Sequence, residues 1–296
     1  MQENDLRQEK KYCSRLGWSL VLTLACVLVW QVLLMLAGFA GMLNADATTY
    51  YLLALVGYYL IALPLCYRLC RKAPAPPLTR RGATPRLLGR WFVIGAALMW
   101  VGSLIGSALN DLIYRIAGLQ PVDMVTETFN MMPLPVVLLG ACIIGPVCEE
   151  LLFRGLLAGR LARYGQKPAA LVSALLFGLY HANVSQFFYA FALGLLQAYA
   201  YFYTGSIKTP IVLHMLFNVY GSFVVFLLPD SGLLPVLYLL SWPALTAAGV
   251  ILLVRGWKKQ VWEHGPCAPS IQTIFCNIGM TAAIVACFVE TALMFA

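Results

Sequence analysis

The chain has 296 residues, of which 61% are hydrophobic and 11% charged, with a mean hydropathy of +0.80. A soluble domain is about half apolar and a quarter charged, so this composition excludes a soluble globular protein and predicts an all-α, polytopic transmembrane bundle. The net charge of +8 does not point to a nucleic-acid partner: no RNA- or DNA-binding motif is visible, and the excess Lys and Arg lie in loops, where they set membrane orientation.

The N-terminal charged run, Arg7 to Arg15, is mixed with Glu3, Asp5 and Glu9. The apolar stretch that follows, 18–43, exceeds the roughly 7–15 residues of a signal-peptide core and reads as an uncleaved first span. A span needs about 20 mainly apolar residues. Further candidates are 50–69, 90–116, 133–157, 168–183, 187–204, 208–228, 234–254 and 271–295, giving eight to nine spans. The fifth and sixth are short, and Asn277 and Glu290 in the last are compatible with an interfacial segment.

The nine cysteines lie mostly in these apolar stretches, where they act as small hydrophobes. No pair has zinc-ribbon spacing, and no disulfide framework is implied. The Pro-rich stretch Ala73 to Pro77 is a stiff connector that divides a two-span region, 1–89, from the remainder, 90–296. No internal repeat is apparent, which weighs against an inverted-repeat transporter.

Charge alternates between successive loops. Arg68, Arg71, Lys72, Arg80, Arg81, Arg86 and Arg90 surround the second connection. Arg160, Arg163 and Lys167 follow the fourth span, Lys208 opens the seventh, and Arg255, Lys258 and Lys259 follow the eighth. The intervening loops hold Asp46, Asp123, Glu127 and Asp230. The positive-inside rule puts the N-terminus in the cytoplasm, and nine spans would put the C-terminus outside.

Ionisable residues inside spans are functional by default, because each costs about 3 kcal/mol on insertion scales unless paired or wetted. The fourth span carries Glu149, Glu150 and Arg154. Glu150 and Arg154 are i,i+4 neighbours that can pair, and Glu149 is rotated by about 100°. One division gives Glu150 to Arg154 and leaves Glu149 facing a cavity as a general base; the other reading is an interfacial salt bridge that orients the helix end. The fifth span carries Phe177 and His181 on one face, and the seventh carries His214 and Asn218. His214 and Asn218 as neutral donors could hold an oxyanion or serve as interhelical hydrogen bonds. Helix rise places Glu149 and His181 roughly 20 Å, and His214 roughly 10–15 Å, from their basic ends; these depths are compatible, and tilt or a kink at Gly145-Pro146 could bring them level.

Cys148 beside Glu149 suggests a Cys-His pair less well, since a buried thiol without a nearby cation is unreactive. Asp111 and Arg115 read as a structural pair, Glu290 as interfacial, and His264, beside Gly265-Pro266, as exposed.

Glu149-Glu150-x-x-x-Arg154, Phe177-x-x-x-His181 and His214-x-x-x-Asn218, in that order and on successive hydrophobic stretches, resemble the three motifs of the CAAX protease and bacteriocin-processing family, also called the Abi or type II CAAX endopeptidase family. The resemblance covers about 133–228. It implies intramembrane hydrolysis of a peptide bond, with Glu149 activating water, His181 assisting, His214 and Asn218 holding the oxyanion, and Glu150 and Arg154, with Phe177, supporting the site. It implies a membrane-associated peptide or protein substrate of CAAX or bacteriocin-leader type and a place in the bacterial plasma membrane. No cofactor is expected. The family's metalloprotease reading would instead use zinc on Glu149, His181 and His214, although zinc catalysis needs about three protein ligands plus water and no His-Glu-x-x-His helix is present. Two further readings compete: a non-catalytic immunity or scaffolding protein, and a proton-coupled transporter, which would not need Asn218. The active cavity is expected among the fourth, fifth and seventh spans, open to the cytoplasm near Arg154.

Overall fold

A computed structural model describes residues 3–119, 127, 130–257, 262–265, 271–293 and 295. Asp123, Lys258, Lys259 and Pro266 lie outside the described residues. All regular elements among these are helical, so the all-α fold holds. We label them α1 (Glu3–Phe39), α2 (Ala47–Cys70), α3 (Pro85–Ala117), α4 (Leu134–Tyr164), α5 (Gln166–Tyr180), α6 (Val184–Thr204), α7 (Lys208–Leu227), α8 (Leu233–Trp257), α9 (Ile271–Phe275) and α10 (Ile278–Leu293).

Side chains that a water-soluble protein would hide are exposed along the outer helices, among them Leu28 and Leu36 on α1 and Leu234, Leu237 and Val254 on α8. This is the surface of a bundle solvated by lipid, and the protein is an integral membrane protein. Breaks between helices follow local chemistry. Asp46 caps α2 by accepting from the Thr49 N–H at 2.8 Å, and hydrogen bonding from the Thr49 side chain and this N–H holds its carboxyl below the ordinary range. Thr84 caps α3 with Pro85 in the first turn, and Gly118 ends it in the left-handed region.

Six helices, α1, α2, α3, α4, α7 and α8, are long and apolar enough to cross a membrane. The eight-to-nine count is therefore not met by length and composition, for reasons visible in three places. Helix α5 has 15 residues, about 22 Å at helical rise, short of a hydrocarbon core of about 30 Å. Helix α6 is long enough with 21 residues, but Gln186, Gln197 and several tyrosines dilute its hydropathy. The two form a helical hairpin reversing at Ala182, whose φ of 49° is the one positive value at a non-glycine among the described residues. The C-terminal stretch 271–295 is broken by Asn277, whose Oδ1 accepts from the Met280 N–H at 3.0 Å and starts α10, only 16 residues long.

The hairpin is drawn tightly against α3. A side chain at Gly102 would strike the Tyr189 backbone, and one at Gly106 the Ser185 carbonyl. This small-xxx-small spacing lets helix backbones touch in lipid. Contacts at one end of the bundle tie distant segments together: Arg163 donates to Glu9 at 2.7 Å, Tyr164 also donates to Glu9, Gln166 donates to Glu263 at 3.0 Å, and the Arg81 N–H donates to the Thr204 carbonyl at 3.2 Å. The basic loops thus share one end.

Candidate active site

Helix α4 is not a regular α-helix around the glutamates. It is π-helical over Leu138–Ile144, α-helical over Gly145–Glu150 and π-helical again over Leu151–Ala158. Pro146 accounts for part of this. The Gly145 N–H bonds the Gly140 carbonyl, five residues back, and Pro146 has no N–H to offer. The Ala141 carbonyl is left without a helical donor, and Asn218 Nδ2 donates to it at 2.8 Å. The proline therefore creates the acceptor that anchors Asn218 on α7.

Glu150 is fully buried. Its Oε1 lies 3.0 Å from Arg154 Nη1 and accepts from His214 Nδ1 at 2.9 Å. Arg154, equally buried, donates through Nη2 to the Gly194 carbonyl at 3.2 Å and to Gln197 Oε1 at 2.9 Å. Its guanidinium carbon sits 4.3 Å from the centroid of the Phe177 ring, a cation-π contact strengthened by desolvation. Phe177 turns its edge contacts to both histidines, with centroid separations of 4.7 Å to His181 and 5.7 Å to His214.

These contacts set the tautomers. A carbonyl only accepts, so His181 Nδ1, 2.7 Å from the Phe177 carbonyl, carries a proton and leaves Nε2 as the lone-pair nitrogen of the neutral ring. His214 Nδ1 likewise donates to the Glu150 carboxylate, which leaves His214 Nε2 without a proton in the neutral ring. This revises the expected pair of neutral donors on α7. Asn218 can donate with its second amide hydrogen, whereas His214 can donate toward the cavity only as an imidazolium. His214 Nε2 lies 3.8 Å from Glu149 Oε2.

Glu149 itself is 28% exposed at its side chain and lines a cavity of about 440 Å³ together with Phe177, His181, His214 and Asn218. Tyr51 and Tyr59 of α2, Gln186 and Gln197 of α6 and Ser222 of α7 complete the wall. Gln186 and Gln197 are polar residues in or beside apolar stretches, the same signal that marked His181. Nothing local marked the tyrosines, which come from the region 1–89. Asp111, Arg115 and His264 are exposed, and Glu290 is half-buried on α10.

The levels match because the α6–α7 turn is set inward. Ile207 lies against Gly155, about 14 Å from the end of α4 at helical rise, and Thr79 and Arg80 of the connector close beneath Gly205. The cavity lies in the half of the bundle away from the basic end, whereas the expectation was an opening near Arg154. Toward that end Leu152, Phe153, Arg154, Leu156, Leu157 and Leu161 are all at most 1% exposed. Away from it, Gly140, Ala141 and Gly145 present almost no side chain, so the helices leave a hollow. Arg154 is therefore interior, and a cysteine placed there would be a poor reporter of access.

The zinc alternative needs Glu149, His181 and His214 to close on one point. Among the described residues no three His, Cys, Asp or Glu side chains are grouped to hold a metal ion, although the Nδ1 bonds of His181 and His214 leave each Nε2 lone pair free, as they are in metal-ligating histidines.

Residues 131–220 match the family model of Rce1-like type II CAAX prenyl endopeptidases. The membrane-embedded CAAX protease MroQ of Staphylococcus aureus (strain USA300) is 32% identical over 145 residues, covering 46% of this chain and 57% of that protein. The putative membrane peptidase YdiL of Bacillus subtilis (strain 168) is 31% identical over 87 residues, 29% of this chain and 36% of that protein. The chain thus spans little more than half of the first relative and about a third of the second. No solved structure matches it. All three motifs fall within 131–220, the segment that matches the family model, and the helices that carry them bring them round one cavity.

Proposed function

We propose that the protein is an intramembrane endopeptidase that hydrolyses a peptide bond of a membrane-associated peptide or protein, of the CAAX or bacteriocin-leader class, with water activated by Glu149. The observation that carries this reading is the sharing of one cavity by Glu149, His181, His214 and Asn218 while Glu150 and Arg154 hold the wall behind them. The family-model match over 131–220 and the relatives' names support proteolysis.

In this reading Glu149 takes a proton from water, and His181 Nε2 accepts the second water hydrogen and aims the oxygen at the substrate carbonyl carbon. The carbonyl π pair moves onto oxygen, where the free N–H of Asn218 receives it. With His214 as the imidazolium, Nε2–H is a second oxyanion donor and afterwards a proton source for the leaving amine. Collapse of the tetrahedral species breaks the C–N bond and releases acid and amine. No step passes through a metal. The bacterial plasma membrane, with the N-terminus in the cytoplasm, is the proposed location.

The test is a comparison of membrane peptide termini in cells making the wild-type protein and Glu149→Gln. New termini that need Glu149 support the reading. An unchanged set, with the cellular phenotype retained by the variant, favours a binding or immunity role. Purified protein should keep its turnover in strong chelators; activity lost on zinc removal and regained on its return would overturn the metal-free mechanism.

A further inference from the structure

Four chain directions agree on which way the cavity extends from its catalytic floor. Helices α2, α4 and α6 run toward the basic end, and on them the lining residues proceed from Tyr51 to Tyr59, from Gly140 to Glu149 and from Gln186 to Gln197. Helix α7 runs the opposite way, and its lining residues proceed from His214 through Asn218 to Ser222. The floor is thus Glu149, His214 and Gln197, and the rim is Tyr51, Gly140, Gln186 and Ser222. Among the described residues, Arg154 is interior and Arg115 alone of the Lys and Arg stands at the rim end; the others stand at the end opposite the rim. That asymmetry is the positive-inside signal.

We infer that the site receives its substrate from the non-cytoplasmic side of the membrane. This rests on the endopeptidase reading and narrows it to a class of substrate. Ser222 is two turns beyond His214, roughly 12 Å along the helix. An extended chain covers that depth in about four residues at roughly 3.3 Å each. The scissile bond therefore lies at least about four residues from where the substrate clears the rim, in an extended tail or unwound segment on the outer side. A prenylated tail presented from the cytoplasm meets the packed end, where Leu152, Phe153, Leu156, Leu157 and Leu161 are buried.

The experiment is cysteine labelling of the full chain in intact cells and in inside-out vesicles, with an impermeant maleimide. Ser222→Cys and Gln186→Cys mark the rim, and Lys72→Cys, exposed in the basic connector, marks the other face. The host is a chain whose native cysteines are replaced and which melts in detergent like the wild type. Rim positions labelled in cells, Lys72→Cys labelled only in inside-out vesicles, and turnover lost in proportion to rim labelling are expected. Rim labelling only in inside-out vesicles, or from neither side, overturns the inference. If the cysteine-free chain fails to fold, a protease site inserted at the exposed loop 230–232 of the native chain should be cut by protease added to spheroplasts; cutting only in inside-out vesicles overturns it equally. Labelling and cutting need no turnover by the protein, so their failure is separable from a failure of Glu149→Gln to abolish cleavage.

Discussion

Two neighbouring glutamates on α4 have opposite surroundings. Glu150 is fully buried, bound by Arg154 and His214, and belongs to the half of the bundle where Leu152, Phe153, Leu156 and Leu157 fill the interior. Glu149, one residue earlier, faces the half where Gly140, Ala141 and Gly145 leave a hollow. The same side chain is thus a structural anion on one side of the helix and an accessible carboxylate on the other. Side-chain volume along α4, large toward the basic end and small away from it, decides which role each can take.

The sharpest way to break this comparison is to neutralise each glutamate in turn. Glu149→Gln keeps shape and removes the base, so turnover should fall by about 10²–10⁴-fold, with thermal melting in detergent close to wild type. Equal melting losses for Glu149→Gln and Glu150→Gln would erase the distinction between the two halves.

The buried side is tested from the other partner. Arg154→Met leaves Glu150 as an uncompensated buried charge and should cost about 3–5 kcal/mol of stability. Adding Glu150→Leu should restore much of that loss without restoring turnover, because His214 then has no carboxylate to fix its ring. A single Arg154→Met protein that melts like wild type would show that Glu150 is not held by this pair.

Much of this was legible in residue chemistry. The identities Glu149, Glu150, Arg154, His181 and His214 stood out because charge and imidazole are costly in an apolar run, and Asn218 because it is i,i+4 to His214. The lipid-facing bundle followed from composition. What escaped was set by packing. Whether α5 and α6 cross as separate spans depends on the reversal at Ala182, which an alanine does not advertise. The direction of the cavity depends on which neighbours fill the space beside Gly140 and Gly145, and one filler, Tyr51, comes from a helix far away in sequence. The proton position on His214 depends on its contact with Glu150, 64 residues earlier.

Asn218 joins the two halves and separates activity from stability. Asn218→Ala removes a donor from the cavity, for which a loss of about 10²-fold in kcat is expected. It also strands the Ala141 carbonyl, at about 1 kcal/mol. Pro146→Ala in that background supplies a backbone N–H to α4 and should recover the stability while turnover stays low. Recovery of both would make Asn218 a packing residue alone.

The smallest expected effect lies at the hairpin tip. Ala182 holds φ at 49°, a conformation that costs an L-residue about 1–2 kcal/mol, and glycine adopts it freely at an unfolded-state entropy cost of about 0.5–1 kcal/mol. Ala182→Gly should therefore stabilise the protein by up to about 1 kcal/mol, read as a small rise in melting temperature. The left-handed turn places His181 at the end of α5 and lets Asn183 Oδ1 accept from the Ser185 N–H at 2.9 Å to start α6. Glycine keeps that geometry, so turnover should hold near wild type. Proline at the same position forces φ to about −65°, which the reversal does not allow, and should move His181 out of the cavity and remove activity. If Ala182→Gly lowers activity as severely as Ala182→Pro, the stiffness of the alanine turn, and not its path alone, is what keeps His181 facing Glu149.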